Sequence, residues 1–297
     1  MSNILHKIQS RISSRILIDY EMRKSTWFRA GGNAKGYVII NNVADLKTII
    51  SFADKVKYYI LGVGSNLMVR DQGFDGLVIK LGRNFNNIKI KKNTLSVGAG
   101  VLDMNLAKFA VKNSIKNFEF FIGIPGTIGG AVKMNAGCYG SQTADNLEKI
   151  LSIDKLGKIK YLKLDELKLK YRSSNIPDEL IILQADFKCE YSSKSSIVEK
   201  SKFIKLKRET SQPIKEKTSG STFKNPPNEF AAQLIEKSNC KGLVIGGASV
   251  STLHSNFIIN NGKASALDIE NLGKEMIRRV QEKFGITLEW EIKIIGT

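Results

Sequence analysis

Glycine marks the stretches of this chain that could hold a ligand. Three segments are richer in it than a run of strands and helices requires: Arg29-Ala-Gly31-Gly32-Asn33; Leu61-Gly62-Val63-Gly64-Ser65-Asn66-Leu67; and Gly123-Ile-Pro125-Gly126-Thr127-Ile-Gly129-Gly130-Ala131, which runs on to Met134-Asn135-Ala136-Gly137. Without a Cβ the backbone reaches positive φ, and its N–H groups can converge on an anion or lie close to a flat ring. Each segment alone reads as a tight turn. Three in one half of the chain point to a large phosphate-bearing cofactor. Neither standard nucleotide fingerprint is present: Leu67 stands where G-x-G-x-x-G needs a third glycine after Gly62 and Gly64, and no G-x-x-x-x-G-K-[ST] occurs. A dinucleotide held outside a Rossmann fold is what remains. Other chemistries have little to build on. Cys138, Cys189 and Cys240 are far apart and form no C-x-x-C, which fits free thiols in a reducing compartment. His6 and His254 are too few for most His-built metal sites or triads.

Read together, these segments resemble the FAD-binding segments of the UDP-N-acetylenolpyruvoylglucosamine reductase family, also called UDP-N-acetylmuramate dehydrogenases. The resemblance continues through Tyr171-Arg172-Ser173-Ser174, Gly220-Ser221-Thr222-Phe223-Lys224-Asn225-Pro226, His254-Ser255-Asn256-Phe257 and Leu288-Glu289-Trp290-Glu291. The motifs lie in the family's order and span nearly the whole chain after Thr26. The implied cofactor contacts are Arg29, Gly62, Gly64, Ser65, Asn66, Leu67, Gly123, Pro125, Gly126, Thr127, Gly129, Gly130, Ala131, Asn135 and Gly137. Relatives that attach FAD covalently use a His in an R-x-G-G-H turn. Asn33 occupies that place here, so a dissociable FAD is expected.

The family's reaction is reduction of UDP-N-acetylglucosamine enolpyruvate to UDP-N-acetylmuramate, a precursor of peptidoglycan. NADPH delivers hydride to FAD, and reduced FAD delivers it to the methylene carbon of the alkene. That leaves an enolate-like carboxylate to be stabilised and a neighbouring carbon to be protonated. By resemblance Arg172 holds the carboxylate with its planar fork, Glu291 orients it as a hydrogen-bond donor, and Ser221 gives the proton. Tyr171, Lys224, Asn225 and Asn256 line the substrate. The short stretch from Tyr171 to Ile182 matches the family form that lacks an extra substrate-closing loop, and leaves the diphosphate clamp unassigned. The rival readings are another FAD oxidoreductase on the same fold and a basic nucleic-acid-binding module.

The elements that must position these residues read as α+β. Tyr37 to Ile40, Tyr58 to Leu61, Leu77 to Leu81 and Ile88 to Lys91 have strand character; Val43 to Asp54 and Asp103 to Asn113 have helical spacing. Later, Asn228 to Ser238 and Ala266 to Phe284 read as helices, Asn256 to Ile259 and Leu288 to Ile295 as strands. The expected organisation is an N-terminal amphipathic helix (1–25), then an FAD-binding domain of the vanillyl-alcohol-oxidase (PCMH) type (26–191). A smaller α+β substrate-binding domain (192–287) follows, and a C-terminal strand (288–297) returns Glu291 to the active site.

The 297 residues contain 46 Lys plus Arg against 28 Asp plus Glu, a formal net charge of +18. Clustered cations would suggest nucleic acid. Here the cations are 36 Lys against ten Arg, scattered along the chain, with neither Arg clusters nor aromatic platforms; Lys194 to Lys217 is the densest region. No nucleic-acid partner is expected. The charge suits a basic cleft for two anionic ligands, NADPH and a UDP-sugar. No apolar run reaches the ~18 residues of a membrane span, so no membrane partner is expected either. Ile4, Ile8, Ile12 and Ile16 form a stripe that reads as a helix docked on the domain that follows or as an organellar transit peptide. The second reading conflicts with a bacterial, cytoplasmic cell-wall enzyme. A monomer is expected.

Overall fold

The computed structural model describes residues 2–297. The chain forms two compact units interleaved in sequence: the first holds the N-terminal residues to Ile18, Gly36–Gly62 and Gly76–Lys207; the second holds Asp19–Lys35, Val63–Asp75 and Arg208–Thr297. This differs from the linear division the sequence suggests. The crossing expected near residue 192 falls at Lys207/Arg208, because Ile197, Ser201 and Ile204 recur at helical spacing and bury one side of α6 (Lys194–Ser211). Two early segments belong to the second unit, whose core takes in Phe28, Ala30 and Met68.

In the first unit, α1 (Ser2–Gln9) buries Leu5 and Ile8, and β1 begins at Ile16 (Ile16–Glu21). The isoleucine stripe is thus shared between a helix, a loop and a strand, all feeding one core. β1 starts a sheet of order β1-β2-β5-β3, with β2 (Asn33–Ile40), β3 (Tyr58–Leu61) and β5 (Phe74–Leu81); β3 and β5 run parallel. α2 (Val43–Ile50) starts where Asn42 accepts from Asp45 N at 2.7 Å. It ends four residues before Asp54, the chain continuing as turns. A second, wholly antiparallel sheet has the order β11-β10-β12-β7-β6, from β6 (Ile88–Lys91), β7 (Thr94–Gly98), β10 (Leu147–Ile153), β11 (Ile159–Lys163) and β12 (Ile181–Lys188). α3 (Asp103–Lys112), α4 (Ile128–Met134) and the short α5 (Leu164–Leu167) accompany it, with the two-residue strands β8 (Gly137–Cys138) and β9 (Ser141–Gln142).

The second unit is built round α8 (Ala266–Phe284), the helix the sequence predicts residue for residue. Ser265 and Asp268 form a capping box at its start, Gly285 ends it at φ 70°, and Ala266, Ile269, Leu272, Gly273, Met276 and Val280 form the buried stripe. α7 (Ala231–Lys237) is shorter than expected at its start, since Asn228 is left-handed and Phe230 extended. β13 (Val244–Ile245), β14 (Ala248–Val250) and β15 (Ile258–Asn260) make an antiparallel sheet. β4 (Leu67–Val69) pairs in parallel with β16 (Lys293–Ile295). Among the described residues no helix is long and apolar enough to cross a membrane.

Candidate active site

Three short stretches of the second unit lie side by side although none is a regular strand over its length. Ser221 bridges Phe257, and Phe223 bridges Trp290, both antiparallel. The ladder is continued by Thr222 N to Asn256 O at 2.8 Å, Glu291 N to Thr222 O at 2.9 Å and Lys224 N to Glu289 O at 2.9 Å. Ser221 and Glu291, distant in sequence, therefore occupy adjacent rungs. Gly220, at φ 80°, makes the turn into the ladder. On the apolar side the Phe223 and Trp290 rings pack with centroids 5.0 Å apart.

The neighbouring polar residues mostly serve this ladder. Asn256 is buried, and its carboxamide closes a two-point lock on one residue, accepting from Phe223 N at 3.0 Å and donating to Phe223 O at 2.8 Å. Asn225 Oδ1 accepts from Ala231 N at 3.0 Å, at the start of α7. Lys224 Nζ pairs with Glu289 at 3.2 Å.

Arg172 belongs to the first unit, in a loop tied to the segment that follows α4. It sits in the left-handed region at φ 52°, uncommon for a residue with a Cβ. Its Nη2 donates to Gly137 O at 2.6 Å, and its guanidinium lies 5.0 Å from the centre of the Tyr171 ring. Asn135 Nδ2 donates to Lys170 O at 3.0 Å, and Ser174 Oγ to Lys133 O at 2.7 Å. Lys133 Nζ reaches Ile176 O. Asn135 is buried at φ 43°, with its other side-chain bonds going to Gln142 and from Ala144 N. Sequence reasoning picks out the motif residues here but not the lacing by Lys133 and Ser174; their polar side chains next to glycine-rich stretches were the available signal.

The glycine segments fit a flat, phosphate-bearing group. Gly126 to Gly129 pair with the stretch after β7: Asp103 N donates to Gly126 O, Ile128 N to Val101 O and Gly129 N to Ala99 O. A Cβ on Gly62 would lie 2.8 Å from Thr127 Oγ1 and one on Gly129 3.1 Å from the Ala99 Cβ, whereas one on Gly130 would meet only Thr127 Oγ1 at 3.6 Å. The missing side chains permit two close backbone approaches and leave a third position open. Pro125 and Gly123 shape the turn before Thr127, Ala131 is buried in α4, and Gly137 begins β8. In the second unit Gly64 is at φ 71°, its carbonyl accepting from Trp27 N, and Ser65 and Asn66 lead into buried Leu67. Exposed Arg29 donates to Lys24 O at 2.9 Å.

Comparison with known proteins agrees with this division of labour. Residues 34–163 match a family model described as an FAD binding domain, and residues 212–295 match one described as the UDP-N-acetylenolpyruvoylglucosamine reductase C-terminal domain. UDP-N-acetylenolpyruvoylglucosamine reductases of Rickettsia typhi and Rickettsia conorii are each 47% identical over 279 residues, 94% of this chain and 95% of the relative. The crystal structure of the Thermus caldophilus UDP-N-acetylenolpyruvylglucosamine reductase superposes with a TM-score of 0.82 at 34% identity, covering 95% of this chain and 99% of that one. A glucose dehydrogenase, at 12% identity and a TM-score of 0.51 over 65% of this chain and 44% of its own, shares the fold alone. With homology across both units, this chain belongs to the UDP-N-acetylenolpyruvoylglucosamine reductase family of FAD-dependent oxidoreductases.

Proposed function

We propose that the chain reduces UDP-N-acetylglucosamine enolpyruvate to UDP-N-acetylmuramate with NADPH as hydride donor, using non-covalent FAD, Arg172, Glu291 and Ser221. The observation that supports the site assignment is the backbone ladder joining the segments that carry Ser221 and Glu291. Bound FAD would supply the redox chemistry that carries hydride from NADPH to the alkene's methylene carbon.

Arg172 binds the substrate carboxylate, and its bond to Gly137 O fixes the guanidinium for the charge that grows as the enolate forms. Ser221 Oγ donates its proton to the carbon next to that carboxylate, which completes saturation of the double bond. A serine hydroxyl is a weak acid, but an enolate held against it is a strong enough base. Glu291 hydrogen-bonds the carboxylate from the neighbouring rung. Tyr171 and Lys224 contact the rest of the substrate, while Asn225 and Asn256 hold α7 and the ladder in place for it. The glycine segments about Gly62, Gly64, Thr127 and Gly130 would hold the flavin.

The reading is tested with anaerobic purified protein. The flavin absorbance is expected to bleach with NADPH and to return on adding UDP-N-acetylglucosamine enolpyruvate, with UDP-N-acetylmuramate formed. Bleaching without recolouring by that substrate contradicts the substrate assignment, and a colourless protein that releases no FAD on denaturation contradicts the whole reading.

A further inference from the structure

We propose that Asn66 is a positioning residue for Glu291: its carboxamide ties the glycine-rich turn at Gly62–Ser65 to the backbone of the acid. The inference rests on the reading above that Glu291 acts on the substrate. Asn66 Nδ2 donates to Glu291 O at 3.1 Å, across 225 residues of sequence. The Asn66 carbonyl accepts from Lys293 N, also at 3.1 Å, and the next residue, Leu67, pairs with Lys293 in the β4–β16 ladder. One residue thus grips the C-terminal segment on both sides of Ile292, whose side chain is buried in the core.

Both backbone polar groups of Glu291 are then fixed. Its N–H is held by Thr222 O and its carbonyl by Asn66. Glu291 lies just before the paired residues of β16, and these two bonds hold its backbone there. The first also fixes Glu291 relative to the strand of Ser221. The second fixes it relative to the turn between Gly62 and Asn66. A small shift of a group that must meet its partner within hydrogen-bond distance costs rate far out of proportion to the single bond lost.

The test separates the two half-reactions in holoenzyme for wild type, Asn66→Ala, Glu291→Gln and the double variant. In FAD-reconstituted Asn66→Ala, recolouring with substrate is expected to be ~10 to 10² slower than in wild type, a larger loss than any in bleaching with NADPH. Because Asn66 acts through Glu291, the double variant should recolour within about twofold of Glu291→Gln alone, whereas independent roles would multiply. Asn66→Asp, which keeps size but loses the donor, should slow recolouring in the same way and replaces the Ala variant if that one fails to fold. Normal recolouring in both Asn66 variants, losses that multiply in the double variant, or a defect confined to FAD affinity would overturn the proposal while leaving the reading of Glu291 intact. Fast recolouring in Glu291→Gln would overturn both.

Discussion

Asp103 is an acid the proposed chemistry does not use. It is fully buried at the first turn of α3, and neither carboxyl oxygen has a hydrogen-bond partner among the described residues. A Cβ on Gly126 would run into its Oδ2, so the glycine-rich segment passes directly over it. Burial disfavours the charged form and pushes its pKa well above the ordinary 3.8. The folded protein therefore keeps a proton that the unfolded chain releases. The stabilising contribution is complete below the unfolded pKa and is lost as pH rises towards the folded one. Asp103→Asn removes this linkage. Its unfolding free energy should gain on wild type as pH rises from about 4 to 7, measured by denaturant titration; parallel pH profiles would show that burial does not govern the group. The sequence contains a hint of this, since Asp103 is the only acid between Thr94 and Phe118. What the sequence does not contain is the close passage of Gly126. The motif residues were legible for a like reason: Arg172, Ser221 and Glu291 stand in recognisable strings, but the partners that orient them are set by folding.

Among the elements, α8 was legible to the residue because a capping box, an apolar stripe and a terminal glycine agree. In the ladder of 256–257, 221–224 and 289–291, the first and last stretches read as parts of longer strands, whereas 221–224 pairs only through isolated bridges too short to leave a period of two. The stretch from Leu288 to Ile295 reads as one strand, and only Lys293–Ile295 is regular. Helix and ladder meet at Gly273. An Ala in an exposed helix interior gains about 1 kcal/mol over Gly. At Gly273 its Cβ would fall within the van der Waals envelope of the Trp290 ring, which packs on Phe223. Overpacking against a rigid ring costs ~1–3 kcal/mol and outweighs the helix gain. Gly273→Ala should thus lower stability, shift the fluorescence attributable to Trp290, one of two tryptophans, and slow recolouring by substrate. An Ala variant as stable as wild type or more so would mean that the ring moves aside freely.

For the whole molecule, the motifs revealed the fold class and the cofactor, while the membership of each unit was hidden. Asp19–Lys35 and Val63–Asp75 join the second unit through Phe28, Met68 and the pairing of β4 with β16, contacts that link the ends of the chain. No local pattern encodes a partner more than 200 residues away. The net charge of +18 fits the attraction of anionic ligands. The role proposed for Ser221 is to supply the proton in the second half-reaction only. Stopped-flow absorbance of Ser221→Ala tests it most directly. Bleaching by NADPH should stay near the wild-type rate, and recolouring by UDP-N-acetylglucosamine enolpyruvate should slow by ~10² to 10⁴. Recolouring at the wild-type rate would rule out Ser221 as the proton donor.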